Sequence, residues 1–309
     1  MKKISVVFCA TPDIALPCLE YLSKNPAVDL KLVVTPPDRP SGRGKQLSSP
    51  AVAQKVKELG LNLLQTENIN QEEDFFDSLG EIDLIIVFAF SQFLSTKILN
   101  RPKIGCFNIH ASLLPAYRGA APIQYTILNG EQTTGITIQK MAKKMDTGDV
   151  VIKLPFSINE KTKSSELYFL MKNKAPEALD KFIFDVQNEN LSYHPQNHAL
   201  ATFAPSLQKK NGYLDFKNKK RQDLIRQVLA FDLWPGTYCF AGKKRLKVFE
   251  VEFSSMKLLP GQTDCSLGML IVGTLNGSLR LVQIQLEGKK TCLDIELIKG
   301  LRDQLIINP

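Results

Sequence analysis

The chain runs to 309 residues, 44% of them hydrophobic and 23% charged, with a formal net charge of +8. That is the composition of an ordinary globular protein of one large or two ordinary domains, and no apolar run approaches the ~18 residues a membrane helix needs. Six scattered cysteines with no C-x-x-C pair argue against both a zinc site and a disulfide framework. The charge is uneven: residues 207–309 carry 17 Lys and Arg against 10 Asp and Glu, which leaves 22 against 21 for residues 1–206. Read alone, that basic third is as consistent with a solvated surface as with a nucleic-acid footprint.

Met1-Lys2-Lys3 before Ile4–Phe8 superficially resembles a signal peptide. Thr11-Pro12-Asp13 stands where a small-residue cleavage site is needed, so a buried first strand and a cytoplasmic protein, of a bacterial cytosol or an organelle matrix, are expected. A helical pattern then runs through Leu16, Leu19, Tyr21 and Leu22, followed by a strand at Leu30–Val34 and a helix at Ala51–Leu59 closed by Gly60. Further strands are expected at Asp83–Phe90, Phe107–His110 and Gly135–Met141. Alternating helices and doubly apolar strands predict a Rossmann-like, open and mostly parallel sheet with helices on both faces, whose active residues lie at the strands' carboxyl ends. No G-x-G-x-x-G spacing follows the first strand, so a nicotinamide dehydrogenase is not expected.

Residues 1–188 are thus expected to form one domain, and the polar, proline-bearing stretch 189–206 a linker in which His194 and His198 are solvated. Residues 207–309 read as a small, OB-like β-barrel, with a helix at Asp223–Phe231 and strands at Thr237–Phe240, Leu246–Phe253, Met269–Thr274 and Leu279–Leu286. Asn276-Gly277 is a hairpin signal, and Trp234 reads as a packing anchor.

The chemistry concentrates in Gly105-Cys106-Phe107-Asn108-Ile109-His110-Ala111-Ser112-Leu113-Leu114-Pro115. Two apart on a strand, Asn108 and His110 share a face; one offers an amide donor for an oxyanion, the other exchanges a proton near neutral pH. Asp146, in the turn Met145-Asp146-Thr147-Gly148-Asp149, is a candidate partner that would fix the imidazole tautomer and raise its basicity. Taken singly, each of these residues is ordinary for a strand end or a turn.

Together with Arg118-Gly119-Ala120-Ala121-Pro122-Ile123-Gln124 and Asp146-Thr147-Gly148-Asp149, the Asn108-Ile109-His110…Ser112-Leu113-Leu114-Pro115 run resembles the signature of the 10-formyltetrahydrofolate-dependent formyltransferases. The resemblance extends almost end to end, through Thr11-Pro12-Asp13, Pro37–Lys45, Ala201–Pro205 and Phe231–Gly236. It implies transfer of a formyl group from the reduced folate 10-formyltetrahydrofolate to an amine, without a metal. Asn108 would then bind the oxyanion, worth roughly 3 kcal/mol; His110 would move the proton and Asp146 would hold His110. The folate would lie against Phe88, Ala89 and Phe90 and the loop through Ser112, Leu113, Leu114 and Pro115. The Gly-Arg-Gly-Lys loop and the basic C-terminal third point to initiator methionyl-tRNA as the acceptor. Arg39, Arg43 and Lys45 would enter the acceptor stem, while Lys209, Lys210, Lys243, Lys244 and Arg245 would track phosphates. A nucleotide-linked amino sugar, glycinamide ribonucleotide and a non-catalytic RNA-binding role are the alternatives, and a monomer is the default expectation. Cys9-Ala10, Phe90-Ser91 and Asp232-Leu233 replace the family's usual Ala-Gly, Tyr-Gly and Asn-Pro.

Overall fold

A computed structural model describes residues 3–41, 46–299 and 307–308. The chain divides into two compact units. The first takes in residues up to Pro122 with Thr133–Ser157 and Tyr168–Phe203; the second takes in Ile123–Gln132, Ile158–Leu167 and the chain from Ala204 onward.

In chain order the first half contains β1 (Ile4–Ala10), α1 (Leu16–Lys24), β2 (Val28–Thr35), β3 (Arg39–Ser41), β4 (Gln46–Ser48) and α2 (Ala51–Glu58). It continues with β5 (Leu63–Gln65), α3 (Glu73–Ser78), β6 (Leu84–Phe88), α4 (Thr96–Leu99), β7 (Gly105–His110), α5 (Pro122–Leu128), β8 (Thr133–Lys140), β9 (Val150–Ser157) and α6 (Ser164–Gln187). Seven of these strands form one sheet in the order β5-β2-β1-β6-β7-β8-β9. β1 is buried along its whole length, as a central strand covered on both faces must be. On one face Val7 and Cys9 pack with Leu32, Val34, Ile85 and Val87 beneath Phe76 of α3 and Ile98 of α4. On the other, Phe107 of β7 meets Phe182 of α6 with ring centroids 4.7 Å apart.

The first five strands of that order are parallel, but β8 runs antiparallel to β7 and β9 antiparallel to β8. The run expected at Gly135–Met141 is therefore an antiparallel strand at that side of the sheet. The nine residues joining it to β9 are too few for a crossover and fold back as a hairpin loop instead. β9 has no counterpart in the sequence expectation, because Pro155 interrupts its apolar run. The strand expected to reach Phe90 stops at Phe88, where Ala89 adopts a left-handed φ of 50°.

The second unit is built on α7 (Arg221–Ala230), β10 (Thr237–Ala241), β11 (Lys244–Ser254), β12 (Thr263–Asp264), β13 (Ile271–Thr274), β14 (Gly277–Leu286), β15 (Cys292–Leu293), α8 (Asp294–Lys299) and β16 (Ile307–Asn308). These strands make a curled antiparallel sheet in the order β12-β13-β14-β11-β10-β16, with β15 beside β14. Its inward residues Cys239, Leu246, Val248, Val272, Leu279 and Leu281 bury Leu224 and Val228 of α7 and Leu297 of α8. The hairpin between β13 and β14 pairs Thr274 with Gly277, so its two-residue loop is Leu275-Asn276 rather than Asn276-Gly277. Trp234 is 48% exposed, so only part of its ring packs. None of the described helices is long and apolar enough to cross a membrane.

Candidate active site

The strand order reverses direction at β1: the chain passes from β1 to β2 on one side and later returns to β6 on the other. The crevice outside the carboxyl ends of β1 and β6 is therefore the place where an open α/β sheet receives a ligand. The register sets Ala10 beside Phe88 and Phe88 beside Ile109, so the ends of β1, β6 and β7 lie level. Beyond β1, the Thr11 hydroxyl is buried without a hydrogen-bond partner among the described residues. Beyond β6, Ala89 is exposed and Phe90 half-buried.

β7 delivers Asn108 and His110 to the same face, and the hairpin loop between β8 and β9 brings Asp146 back to them. Nε2 of His110 lies 2.9 Å from the Tyr117 carbonyl oxygen. A carbonyl only accepts, so Nε2 carries the proton and Nδ1 is the nitrogen left to exchange one. Nδ1 stands 3.7 Å from Oδ2 of Asp146, both side chains being less than one-tenth exposed. That separation exceeds a hydrogen bond, as expected of two acceptors, and a bond can form between them only once Nδ1 carries a proton. The carboxylate itself is fixed: Oδ2 accepts from the Gly119 N–H at 2.9 Å and Oδ1 from Nε2 of Gln139 at 2.8 Å. Nδ2 of Asn108 donates to Oδ1 in a long bond of 3.4 Å, which leaves its second amide proton available to another oxygen.

Asp146 sits in the left-handed region at φ 53°, in a turn pinned by Lys140 N donating to Asp149 O at 2.8 Å. Gly148 permits that turn, because a Cβ there would lie 1.7 Å from the Lys140 carbonyl oxygen. Burial pushes the Cys106 thiol up to about 12 and the Cys9 and Cys18 thiols higher still, so none of the three supplies a thiolate at neutral pH. Among the described residues no group of three or more His, Cys, Asp or Glu could hold a metal ion.

The residues of the expected folate-facing set differ in burial. Phe88, Ser112 and Leu114 are enclosed, at 3%, 0% and 0% exposure, so their side chains face protein. Ser112 donates to Ala116 O at 2.6 Å, and its carbonyl and the Leu114 N–H both bond the Thr137 hydroxyl. Ala89, Phe90, Leu113 and Pro115 remain accessible. Of the basic residues, Arg43 and Lys45 lie outside the described residues. Arg39 pairs with Glu67 at 2.6 Å on an exposed surface. Lys209 and Lys210 open the short 3-10 turn Lys209–Gly212, and Lys243, Lys244 and Arg245 are exposed around the start of β11. Arg245 stacks over Tyr238, 4.3 Å from the ring centroid.

Residues 2–183 match the formyl transferase family, and residues 206–302 match the formyl transferase C-terminal domain. The chain belongs to the formyl transferase family. It is 38% identical over 306 residues to the methionyl-tRNA formyltransferase of Geobacter metallireducens, spanning 98% of this chain and 97% of that protein. It is 35% identical to the methionyl-tRNA formyltransferase of Halothermothrix orenii, over 96% and 97% of the two chains. Among solved structures, the N-formyltransferase from Helicobacter canadensis in complex with folinic acid and dTDP-3-aminofucose superposes with a TM-score of 0.68 at 18% identity, covering 90% of this chain and 98% of that one. HypX from Aquifex aeolicus in complex with tetrahydrofolic acid gives a TM-score of 0.61 at 14% identity, over 95% and 46%. Both structures are likenesses of fold.

In this formyl transferase, three site-forming residues escape sequence reasoning as functional ones. Gln139 lies on β8, where Thr137 and Gln139 alternate with Ile136 and Ile138; that alternation inside a buried strand is the legible signal. Gln196 lies in the polar stretch that reads as a linker, yet is 8% exposed. Arg118, quoted only as part of the signature, is 6% exposed. His198, expected to be solvated, is exposed but sits with Nδ1 3.0 Å from Nη2 of Arg118.

Proposed function

We propose that this chain transfers the formyl group of 10-formyltetrahydrofolate to the free amino group of initiator methionyl-tRNA, with Asn108, His110 and Asp146 as its catalytic residues. The observation that carries the reading is the convergence of a spare amide donor, a tautomerically fixed imidazole and a restrained carboxylate at the carboxyl ends of β6 and β7. The full-length likeness to methionyl-tRNA formyltransferases supports the acceptor.

Bound 10-formyltetrahydrofolate supplies an activated formyl carbon and an amine nitrogen as leaving group. Ala89, Phe90, Leu113 and Pro115 provide its apolar bed, and the unpartnered Thr11 hydroxyl is a polar group still to be satisfied there. Asn108 donates its free amide proton to the formyl oxygen as that oxygen gains charge. The neutral amine attacks the formyl carbon. His110 accepts at Nδ1 the proton that this nitrogen sheds in the tetrahedral adduct and gives it to the departing folate nitrogen as the C–N bond breaks, so one proton leaves the acceptor and one arrives on the folate. Asp146 compensates the charge that the ring carries in between.

Arg39, Arg43 and Lys45 would meet the acceptor stem, and Lys209, Lys210, Lys243, Lys244 and Arg245 the phosphates. The exposed Arg39–Glu67 pair costs little to open. We place the enzyme in the cytoplasm as a monomer.

The test is formylation of initiator methionyl-tRNA by the purified protein with 10-formyltetrahydrofolate, comparing wild type with His110→Ala. Activity lost in the variant is expected. Folate binding without transfer to this tRNA would move the assignment to a small-molecule amine such as a nucleotide-linked amino sugar.

A further inference from the structure

The Asp146 turn is gripped by a part of the chain to which the chemistry above assigns no role. Gln196 is buried, and its two amide atoms face opposite partners. Oε1 accepts from Nε and Nη2 of Arg118 at 3.1 and 2.6 Å. Nε2 faces three carbonyl oxygens: Gly148 O at 2.7 Å, Asp146 O at 3.1 Å and Oε1 of Gln139 at 3.2 Å. A guanidinium only donates and a carbonyl only accepts, so this amide has one permitted orientation. Fixing Oε1 of Gln139 in turn fixes its Nε2, which is the donor to Oδ1 of Asp146.

Arg118 is itself unusual. It is buried, and among the described residues no carboxylate lies within salt-bridge distance of it. Its guanidinium meets one neutral oxygen, Oε1 of Gln196, and, at 3.0 Å, Nδ1 of His198, which must accept. Its main chain is anchored as well, with Arg118 N donating to Thr202 O at 2.9 Å. A cation kept out of water without a counter-charge costs folding free energy, and here every proton it gives to the amide orients the amide toward the catalytic turn.

We propose that Gln196 and Arg118 are positioning residues for the reaction: Arg118 sets the Gln196 amide, and Gln196 holds both the left-handed Asp146 backbone and the Gln139 side chain that aims its carboxylate at His110. The assignment rests on the catalytic reading of His110 and Asp146 given above. It gives the polar stretch 190–203 a part in the active site.

Two variants separate positioning from packing. Gln196→Glu keeps an acceptor for Arg118, and hence the anchorage of the segment, but removes the donor to the three carbonyls. Gln196→Ala removes both. Both variants should lower kcat by about 10- to 100-fold, the scale of a misplacement near 1 Å, with KM for folate and for tRNA within about two-fold. Gln196→Glu should melt close to wild type. The amide proton of Gly119, which reports directly on Oδ2 of Asp146, should shift upfield and lose exchange protection in both variants by NMR. Unchanged kcat, or an unmoved Gly119 resonance in Gln196→Glu, overturns the proposal, as does a kcat loss that merely follows the melting temperature. The Gly119 signal needs no acceptor, so a wild type that fails to formylate tRNA while the resonance still moves would sink the proposed function and leave the positioning intact.

Discussion

Asn108 on β7 and Gln139 on β8 face each other in register, and both amides point at the same oxygen of Asp146, one from 3.4 Å and the other from 2.8 Å. Gln139 does the holding. Asn108 keeps a second amide proton that Asp146 does not take, a division of labour that the pairing of these two strands creates.

From this, Asn108→Ala should lower kcat by about 10²- to 10³-fold, the usual cost of one lost oxyanion donor. The KM for folate should change little, because the bond matters once charge has developed. Single-turnover formylation at saturating folate reads the step directly; a kcat within a few-fold of wild type would assign the donor elsewhere.

Gly148→Ala should harm the enzyme although its side chain is only one methyl group. The new Cβ would lie 1.7 Å from Lys140 O, an atom of a strand already paired on both edges, so the turn rather than the strand must yield. We expect a stability loss of about 1–3 kcal/mol and a kcat loss of about 100-fold from the displaced Asp146. Urea unfolding and steady-state kinetics check the two effects separately.

Asp294, fully buried at the start of α8, accepts two bonds from Arg280, each 2.9 Å, and one from Leu270 N at 2.9 Å. Burial opposes its ionisation, but these bonds and the guanidinium charge outweigh burial and hold the carboxyl below the usual carboxylate range. A depressed folded pKa stabilises the protein above the unfolded value near ~3.9 and loses that contribution as pH falls through the folded value. Asp294→Asn should therefore cost about 3 kcal/mol at pH 7, and the gap between wild type and variant should close below about pH 4. A gap that persists in acid would show that the charge is not what Asp294 contributes.

Replacing Lys243, Lys244 and Arg245 together by Ala should weaken tRNA binding and flatten its salt dependence. Each phosphate no longer neutralised lowers the log–log slope by about 0.9, so a reduction of about two to three is expected, with kcat at saturating tRNA preserved. An unchanged slope would remove this cluster from the footprint. Part of any loss in affinity will come from Arg245, which also stacks on Tyr238.

What could be read in advance follows a physical line. The parallel core was legible because β1, β2 and β6 are short, doubly apolar runs bounded by turn residues, and burial on both faces writes itself into composition. Asn108, His110 and Asp146 were legible as a motif, and the basic final third as charge. By contrast β9 was hidden by Pro155, and Gln196 by a polar neighbourhood in which a buried glutamine looks like any solvated one.

The sequence by itself determined which segments prefer strand or helix, which side chains can donate, accept or carry charge, and the family to which the chain belongs. Only the tertiary structure decided that β8 runs antiparallel to β7 and so sets Gln139 opposite Asn108, that Tyr117 O takes the Nε2 proton and leaves Nδ1 to face Asp146, and that Ser112 and Leu114 are sealed inside while Leu113 and Pro115 remain accessible. These are relations between residues from 7 to 36 positions apart. Local preference and periodicity carry no information at that range, because it is long-range packing that brings such groups within hydrogen-bonding distance and selects one arrangement among many locally equivalent ones.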